Sequence, residues 1–431
     1  MTIVLLLVSF LVIIKDWRSL IGVLLSASMW INPDVRCGSA SFMFYLMAFI
    51  VVYSLLRKDL VVRYAGGAKK KFTKLLLYLA FVNVPFLLFS TGEFGRDFAV
   101  IKIQLVALMT CFFLFSFKYD SSAERKSSLF LFFSITTISL YGIYTYITKT
   151  NPFIEAISPY MTMTDRLENA IRSINNARGI LSGRITGTSL YTIQYAIMMA
   201  MIMFVTYYPF GKRFPKGLLF ILLGLLFVNL YLTGSRGPFL ALVLSVSFYF
   251  SKSLPLKKQV FYILGVFFLC TIFYSYIDYF IGSFFSSDIE GSTVQGRSVQ
   301  LYGAYTLVAG DWQSLLFGRG FSFVSHYIST KGAHPLALCF ESTHVSGLVN
   351  YGVLGLIFCF VGKLFAMAFL AYDYYKHSLI EKKSYYWILS FLLMNFFCNI
   401  LVGDVYGNLF MFIYVIMLKS ALNNGTKNCV S

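Results

Sequence analysis

The stretch LTGSRGPFLAL, residues 232–242, carries the only charge, Arg236, in the 34 residues from Gly217 to Phe250. A guanidinium presents five N–H donors in a rigid fork that matches phosphate or carboxylate oxygens in pairs. Its neighbours Gly234, Ser235, Gly237 and Pro238 are small or turn-forming, so a tight turn is expected, open to close approach by another group. A cation among apolar residues is costly unless something neutralises it. No acid within the stretch can do so. The partner of Arg236 therefore comes from another segment or from an anionic ligand, unless the side chain simply reaches out to water.

Composition decides what surrounds that arginine. The chain of 431 residues is 58% hydrophobic and only 13% charged, about half the charge of a soluble domain. Its apolar residues form runs of about 17–21, the length that crosses a bilayer as helix. The expected fold is all-α: one polytopic helical membrane domain over 1–431 with about twelve transmembrane helices. Spans are expected near 38–56, 75–91, 98–117, 127–147, 188–208, 217–233, 238–250, 260–280, 345–372, 385–402 and 409–420. Residues 1–31 read either as one long crossing broken at KDWR (15–18) or as two short ones. The single crossing is preferred, because twelve spans put both termini on one side.

Charge then sets the orientation. The linkers 57–74, 118–126, 209–216, 251–259 and 373–383, with the C-terminal tail, carry 21 Lys and Arg and are expected to be cytoplasmic by the positive-inside rule. The net charge of +18 is thus a topological signal and calls for no nucleic acid. Two large loops, about 148–187 and 281–344, fall on the other side, the periplasm of a bacterium. The N-terminus lacks a basic region before its apolar run and a small-residue cleavage site, so no cleaved signal peptide is expected. The seven cysteines are scattered with no CxxC pair, which argues against a metal site. Cys37 and Cys339 could both face outward.

The two faces also differ in the kind of cation they use. Of the 21 basic residues on the expected inner face, 17 are lysine. Of eleven on the outer face, nine are arginine: Arg36, Arg96, Arg166, Arg172, Arg178, Arg184, Arg236, Arg297 and Arg319. Orientation needs charge alone, which lysine supplies, so an arginine-rich outer face points to forked recognition of phosphate or carboxylate. The plainer reading pairs some of them with Asp165, Glu168, Asp288 or Asp311. Lys102 and Lys363 are expected to snorkel, and Asp278 to pack near an outer helix end. Residues 165–181 read as an amphipathic helix with Arg178 on its apolar stripe. Tyr302 and Tyr305 could stack on sugar faces.

In its middle the chain resembles a known family, the O-antigen ligase and O-antigen polymerase (Wzy) superfamily. LTGSRGPFLALVLSV is similar to the family's signature turn. SGRITGTSLYTIQYAIMMA (182–200) resembles the Arg-x-x-Gly entry to the span after the first large loop. QGRSVQLYGAYTLVAGDWQSLLFGRGFSF (295–323) resembles the Gly-Arg helix and Gly-x-Gly turn of the second. ESTHVSGLVNYGVLGLIF (341–358) resembles the re-entry into the membrane, with paired glycines Gly352 and Gly355. The likeness covers roughly 180–360 and is hydropathic elsewhere.

The resemblance implies a multi-pass protein of the bacterial inner membrane with its active site facing the periplasm. It implies a glycosyltransferase that takes a glycan from undecaprenyl pyrophosphate, with no cofactor. A chain-length regulator and a flippase would be its partners. Carried over by motif, Arg184 and Arg236 would bind the pyrophosphate, followed by Arg297 and Arg319. No Asp-x-Asp pair lies on the outer face, which suits a metal-independent transfer. The ligases carry histidine at the re-entry, but the matching position here is Glu341. Glu341 is therefore the expected base, with His344 one turn later as the alternate and His334 seven residues earlier. The departure favours a polymerase joining lipid-linked repeat units over a ligase acting on lipid A-core. A flippase or transporter is the more distant alternative, since that class would show midplane ionisable groups and internal repeats.

If the lysine-rich linkers are cytoplasmic, a cysteine at Thr293 should react with an impermeant maleimide in spheroplasts, and one at Lys70 should not. The reverse labelling would invert the topology.

Overall fold

The computed structural model describes residues 2–31, 35–37, 40–57, 67–157, 183–189, 191–253, 294–324, 326–327, 342–401 and 407–428. These residues are almost entirely helical. The helices are α1 (Thr2–Lys15), α2 (Leu20–Trp30), α3 (Phe42–Leu56), α4 (Ala68–Phe81), α5 (Val84–Phe89), α6 (Phe94–Ser116), α7 (Ser121–Thr148) and α8 (Pro152–Ile157). Beyond the first large loop come α9 (Thr192–Tyr207), α10 (Lys216–Leu232), α11 (Arg236–Ser253), α12 (Val294–Val308), α13 (Trp312–Phe317), α14 (Thr343–Gly355), α15 (Gly362–Lys376), α16 (Lys382–Leu401) and α17 (Gly407–Asn428). One short antiparallel pair, Arg36–Cys37 with Ala40–Ser41, precedes α3.

Among the described residues four helical stretches are long and apolar enough to cross a membrane: Ala68–Phe89, Phe94–Ser116, Ser121–Thr148 and Thr343–Lys376. Each overlaps an expected span. The expected span 260–280, the amphipathic helix 165–181, Asp278, Cys339 and the side chain of Cys37 lie outside the described residues. Large apolar side chains point outward in rows, as along α1 with Ile3, Val4, Leu7, Val8, Leu11 and Ile14, and in isolation at Phe365 and Phe369, which are 71% and 70% exposed. Water would not tolerate so much exposed hydrocarbon, but lipid does. The protein is a helical membrane protein.

The lysine-rich linkers meet at one end of the bundle. Lys71 pairs with Asp373 at 2.6 Å, and the Tyr374 hydroxyl donates to the Ala68 carbonyl at 2.6 Å, joining the start of α4 to the end of α15. Arg213 pairs with Glu124, Ser384 donates to the Tyr208 hydroxyl, and Asn423 donates to the Tyr119 carbonyl. The Glu124 carboxylate, through its hydrogen bond, raises the Arg213 pKa above its usual value. These contacts tie five separate segments into one basic surface.

That surface also settles how residues 1–31 run. Asp16 pairs with Lys126, and Arg18 lies 3.7 Å from Asp120, so KDWR sits level with the start of α7. A single broken crossing would put those four residues mid-bundle. Instead α1 comes down to this end, with Phe10 stacked on Phe49 halfway along α3, and α2 climbs away beside α7 until Trp30 reaches Tyr141. The two helices form a hairpin whose charged turn stays at the lysine-rich end. Burying KDWR would have stranded one acid, Asp16, and two bases, Lys15 and Arg18; the hairpin avoids this.

Inside the bundle, buried amides and hydroxyls join neighbouring helices. The Tyr195 hydroxyl donates to the Ile138 carbonyl and to Asn229 Oδ1, both at 3.0 Å, and Asn229 Nδ2 donates to the Ser139 and Leu225 carbonyls. Gly142 makes room, because a Cβ there would run into Asn229 and the Tyr195 hydroxyl. Replacing Asn229 with Ala removes three bonds among α7, α9 and α10. A cost of about 1–3 kcal/mol is expected, measured as a lower apparent melting temperature in detergent.

Candidate functional site

The end opposite the lysines gathers the ends of α2, α7 and α10, the starts of α6, α9 and α11, and the turn after α13. The turn expected around Arg236 is present. α10 closes with the Thr233 N–H donating back to the Asn229 and Leu230 carbonyls, Gly234 takes φ +61°, and α11 begins at Arg236. A residue with a Cβ is strained at that φ, so Gly234 is what lets the chain reverse between two helices without a longer loop. Pro238 lies in the first turn of α11, where it costs no hydrogen bond.

Arg184 comes to this turn from the far side of the first large loop. Its Nε donates to the Thr233 carbonyl at 2.8 Å and Nη2 to the Ser235 hydroxyl at 3.3 Å, while the Ile185 N–H donates to the Leu232 carbonyl at 3.2 Å. The segment 183–189 thus lies across the end of α10. Two arginines, 52 positions apart by their numbers, meet at one helix junction. Arg236 itself is only 9% exposed. It opens an 18-residue helix, whose N-terminal dipole adds roughly half a positive charge to its own. Like charges stacked this way favour an anion alongside them.

The loop edge that carries Arg184 is pinned by Asn151, 2% exposed. Asn151 Nδ2 donates to Thr186 Oγ1 and to the Gly187 carbonyl, both at 2.8 Å, and Oδ1 accepts from the Tyr141 hydroxyl at 2.6 Å and the Ile154 N–H at 3.1 Å. All four bonds of one carboxamide are used. Thr188 adds a bond of 2.6 Å to the Met29 carbonyl at the top of α2.

Arg319 is held by a different set of elements. Its Nε donates to the Leu307 carbonyl at 2.6 Å, its guanidinium lies over the Phe323 ring, and its N–H donates to the Val349 carbonyl at 2.7 Å. The turn beneath it is fixed by Asp97, in the first turn of α6 and 1% exposed. Asp97 Oδ1 accepts from the Ser322 N–H and hydroxyl, both at 2.9 Å. Gly320, at φ +116°, packs so closely on the carboxylate that a Cβ would overlap it. Asp311, which could have paired with an arginine, instead caps α13. The Ser314 N–H, then its hydroxyl, then the Gln313 N–H hold its carboxyl below the usual range.

The re-entry after the second loop reaches the same end as Arg236. His344 lies half-buried on the first turn of α14. The Thr343 hydroxyl beside it donates to Asn399 Oδ1 at 2.8 Å, near the end of α16. α16 runs antiparallel to α11, since the two pack along their length with the last turns of α11 (Phe248, Tyr249) against the first turns of α16 (Tyr386, Trp387). Stepping back along α11 from Tyr249 to Arg236 steps forward along α16 from Trp387 to Ile400, next to Asn399. Arg236 and the start of α14 therefore share a level. Glu341 and His334 lie outside the described residues, as does the Arg297 side chain, although Arg297 falls in the first turn of α12. Tyr302 and Tyr305 are exposed on α12, whose opposite face packs Ala304 and Val308 with Val345 and Val349 of α14.

Arg96 makes an exposed pair with Glu93 at 3.1 Å, as the plainer reading of the arginines allows. Lys102 lies over the Phe44 ring and Lys363 over the Phe410 ring. Sequence reasoning missed Asp97, Asn151 and Asn399. Asn151 had a signal, Asn-Pro at a helix start; an acid in the first turn of an apolar span was the only sign of Asp97. No family model matches the chain, and no curated protein matches it.

Asp97 and Arg96 stand side by side, with opposite expectations. Asp97→Ala removes three bonds to a charged acceptor, two from Ser322 and a longer one from the Ser90 hydroxyl, the first two worth about 1.5–3 kcal/mol each. It should lower the melting temperature and open residues 318–322 to protease. Arg96→Ala breaks only an exposed pair and should leave both measurements unchanged.

Proposed function

We propose that the chain is a polysaccharide polymerase of the O-antigen polymerase and ligase superfamily, acting in the bacterial inner membrane with its site toward the periplasm. It transfers the growing glycan from undecaprenyl pyrophosphate to a hydroxyl of an incoming lipid-linked repeat unit. The observation that carries this reading is the meeting of Arg184 with the turn that starts α11 at a buried Arg236.

In the transfer the acceptor oxygen forms a bond to the anomeric carbon while the bond from that carbon to the pyrophosphate oxygen breaks. The acceptor proton goes to a base, Glu341 in this reading, with His344 as the alternate. Negative charge grows on the departing pyrophosphate. The Arg184 guanidinium, already fixed by the Thr233 carbonyl and the Ser235 hydroxyl, needs no reorganisation to meet that charge, so it favours the transition state over the bound donor. The α11 N-terminus adds its dipole to the same region. Arg297 and Arg319 serve the rest of the donor or the acceptor's own pyrophosphate.

A host lacking the gene is expected to display lipopolysaccharide capped by a single repeat unit. Loss of every repeat unit from lipid A-core, with long chains left on the carrier, would instead identify a ligase. With purified lipid-linked repeat unit, Arg236→Lys keeps the charge but loses the fork. One charge-assisted bond contributes about 1.5–3 kcal/mol, so polymerisation should slow roughly 10- to 100-fold, and Arg236→Ala should be slower still. Normal chain growth by the lysine variant, at equal protein level and melting temperature, would make Arg236 a surface anchor.

A further inference from the structure

At the opposite end of the bundle a shallow crevice opens between the α1–α2 turn, the end of α6, the start of α7 and the middle of α17. Trp17, Arg18, Lys118, Tyr119 and Lys419 line it, with Leu20, Ile21, Leu114, Phe117 and Ala123 forming its apolar wall. Lys419 is 1% exposed. Its ammonium donates to the Leu114 carbonyl at 2.5 Å and to the Phe117 carbonyl, closing the last turn of α6, and lies over the Tyr119 ring.

The charges around the crevice do not cancel. The Lys419 ammonium is spent on the last carbonyls of α6, whose C-terminus carries roughly half a negative charge. Asp16 is taken by Lys126. Asp120 caps α7 through the Ala123 N–H and meets Arg18 only at 3.7 Å. Lys118 is exposed, and among the described residues no acid pairs with it or with Lys419. At the rim Arg18 and Lys118 face the single carboxylate of Asp120, so positive charge is left over there. Trp and Tyr at its rim are the side chains that settle at headgroup depth, and basic pockets between membrane helices hold anionic headgroups.

We propose that the rim of this crevice binds the phosphate of an anionic phospholipid headgroup, with Arg18 and Lys118 gripping the phosphate, Lys419 holding the α6 end that carries Lys118, and the acyl chains running down the exposed hydrocarbon of the neighbouring helices. The proposal stands apart from the transfer reaction, since it needs only that this end lie at a membrane surface.

The test compares wild-type protein with Arg18→Gln/Lys118→Gln, both released from bicelles of equal parts phosphatidylglycerol and phosphatidylcholine into a native mass spectrometer. The wild type should keep one phosphatidylglycerol in preference to phosphatidylcholine, and the double variant should hold it about 10- to 100-fold more weakly at an unchanged melting temperature in phosphatidylcholine alone. Equal retention by the two proteins, or equal retention of the two lipids, overturns the site. Displacement of phosphatidylglycerol by millimolar inorganic phosphate overturns the lipid assignment in favour of a soluble anion. Lys419→Met probes the α6 end, and if that variant fails to assemble, the exposed pair still decides.

Discussion

Hydrocarbon offers no hydrogen-bond partner, so any backbone that leaves the helix inside a bilayer has to be satisfied by the protein itself. Several buried polar side chains of this bundle sit where helices stop. Asn151 supplies the Thr186–Gly187 edge and the start of α8, Asp97 supplies the Ser322 turn, and Lys419 supplies the last carbonyls of α6. Arg184 supplies the carbonyl of Thr233. Without such groups, each broken end would carry unmet donors or acceptors into lipid, and the chain would have to place its loops farther out in water. These groups stand at the points where the surface loops are hung.

This constraint separates the two ends by chemistry. At one end, lysines and acids from five segments pair across exposed linkers, an arrangement that is salt-sensitive and individually weak. At the other, carboxamide, carboxylate and guanidinium groups are buried and hydrogen-bonded to fixed backbone, which is stiffer and less screened. A surface of the first kind suits contact with lipid headgroups and solvent. One of the second kind suits holding a charged group in a set geometry, the property on which the proposed transfer relies.

Helix positions were legible in the sequence because the bilayer imposes length and hydropathy, and each of the four long apolar stretches fell on an expected span. Residues 1–31 were not, since KDWR interrupts the apolar run equally in a broken crossing and in a hairpin. The contacts of Asp16 with Lys126, 110 positions away, and of Arg18 with Asp120 separate them. The arginine turn was legible from Gly234, whose positive φ follows from residue type. The clamp at Asp97 was not: its partners lie 225 positions away in sequence and are a backbone N–H and a serine, which carry no pattern. Asn399 escaped for the same reason.

Arg184 is fastened chiefly to a carbonyl, and every amino acid has one. The Thr233 side chain matters only for its hydroxyl, which accepts from the Ser235 N–H and donates to the Leu230 carbonyl, a role a serine could fill so long as α10 ends at the same place. Selection at this junction acts on where a helix stops more than on which letters surround the stop. Relatives could differ at most positions here and still hold an arginine in the same spot. Kinship for such a chain would be better sought by aligning arginines to helix ends than by counting identities.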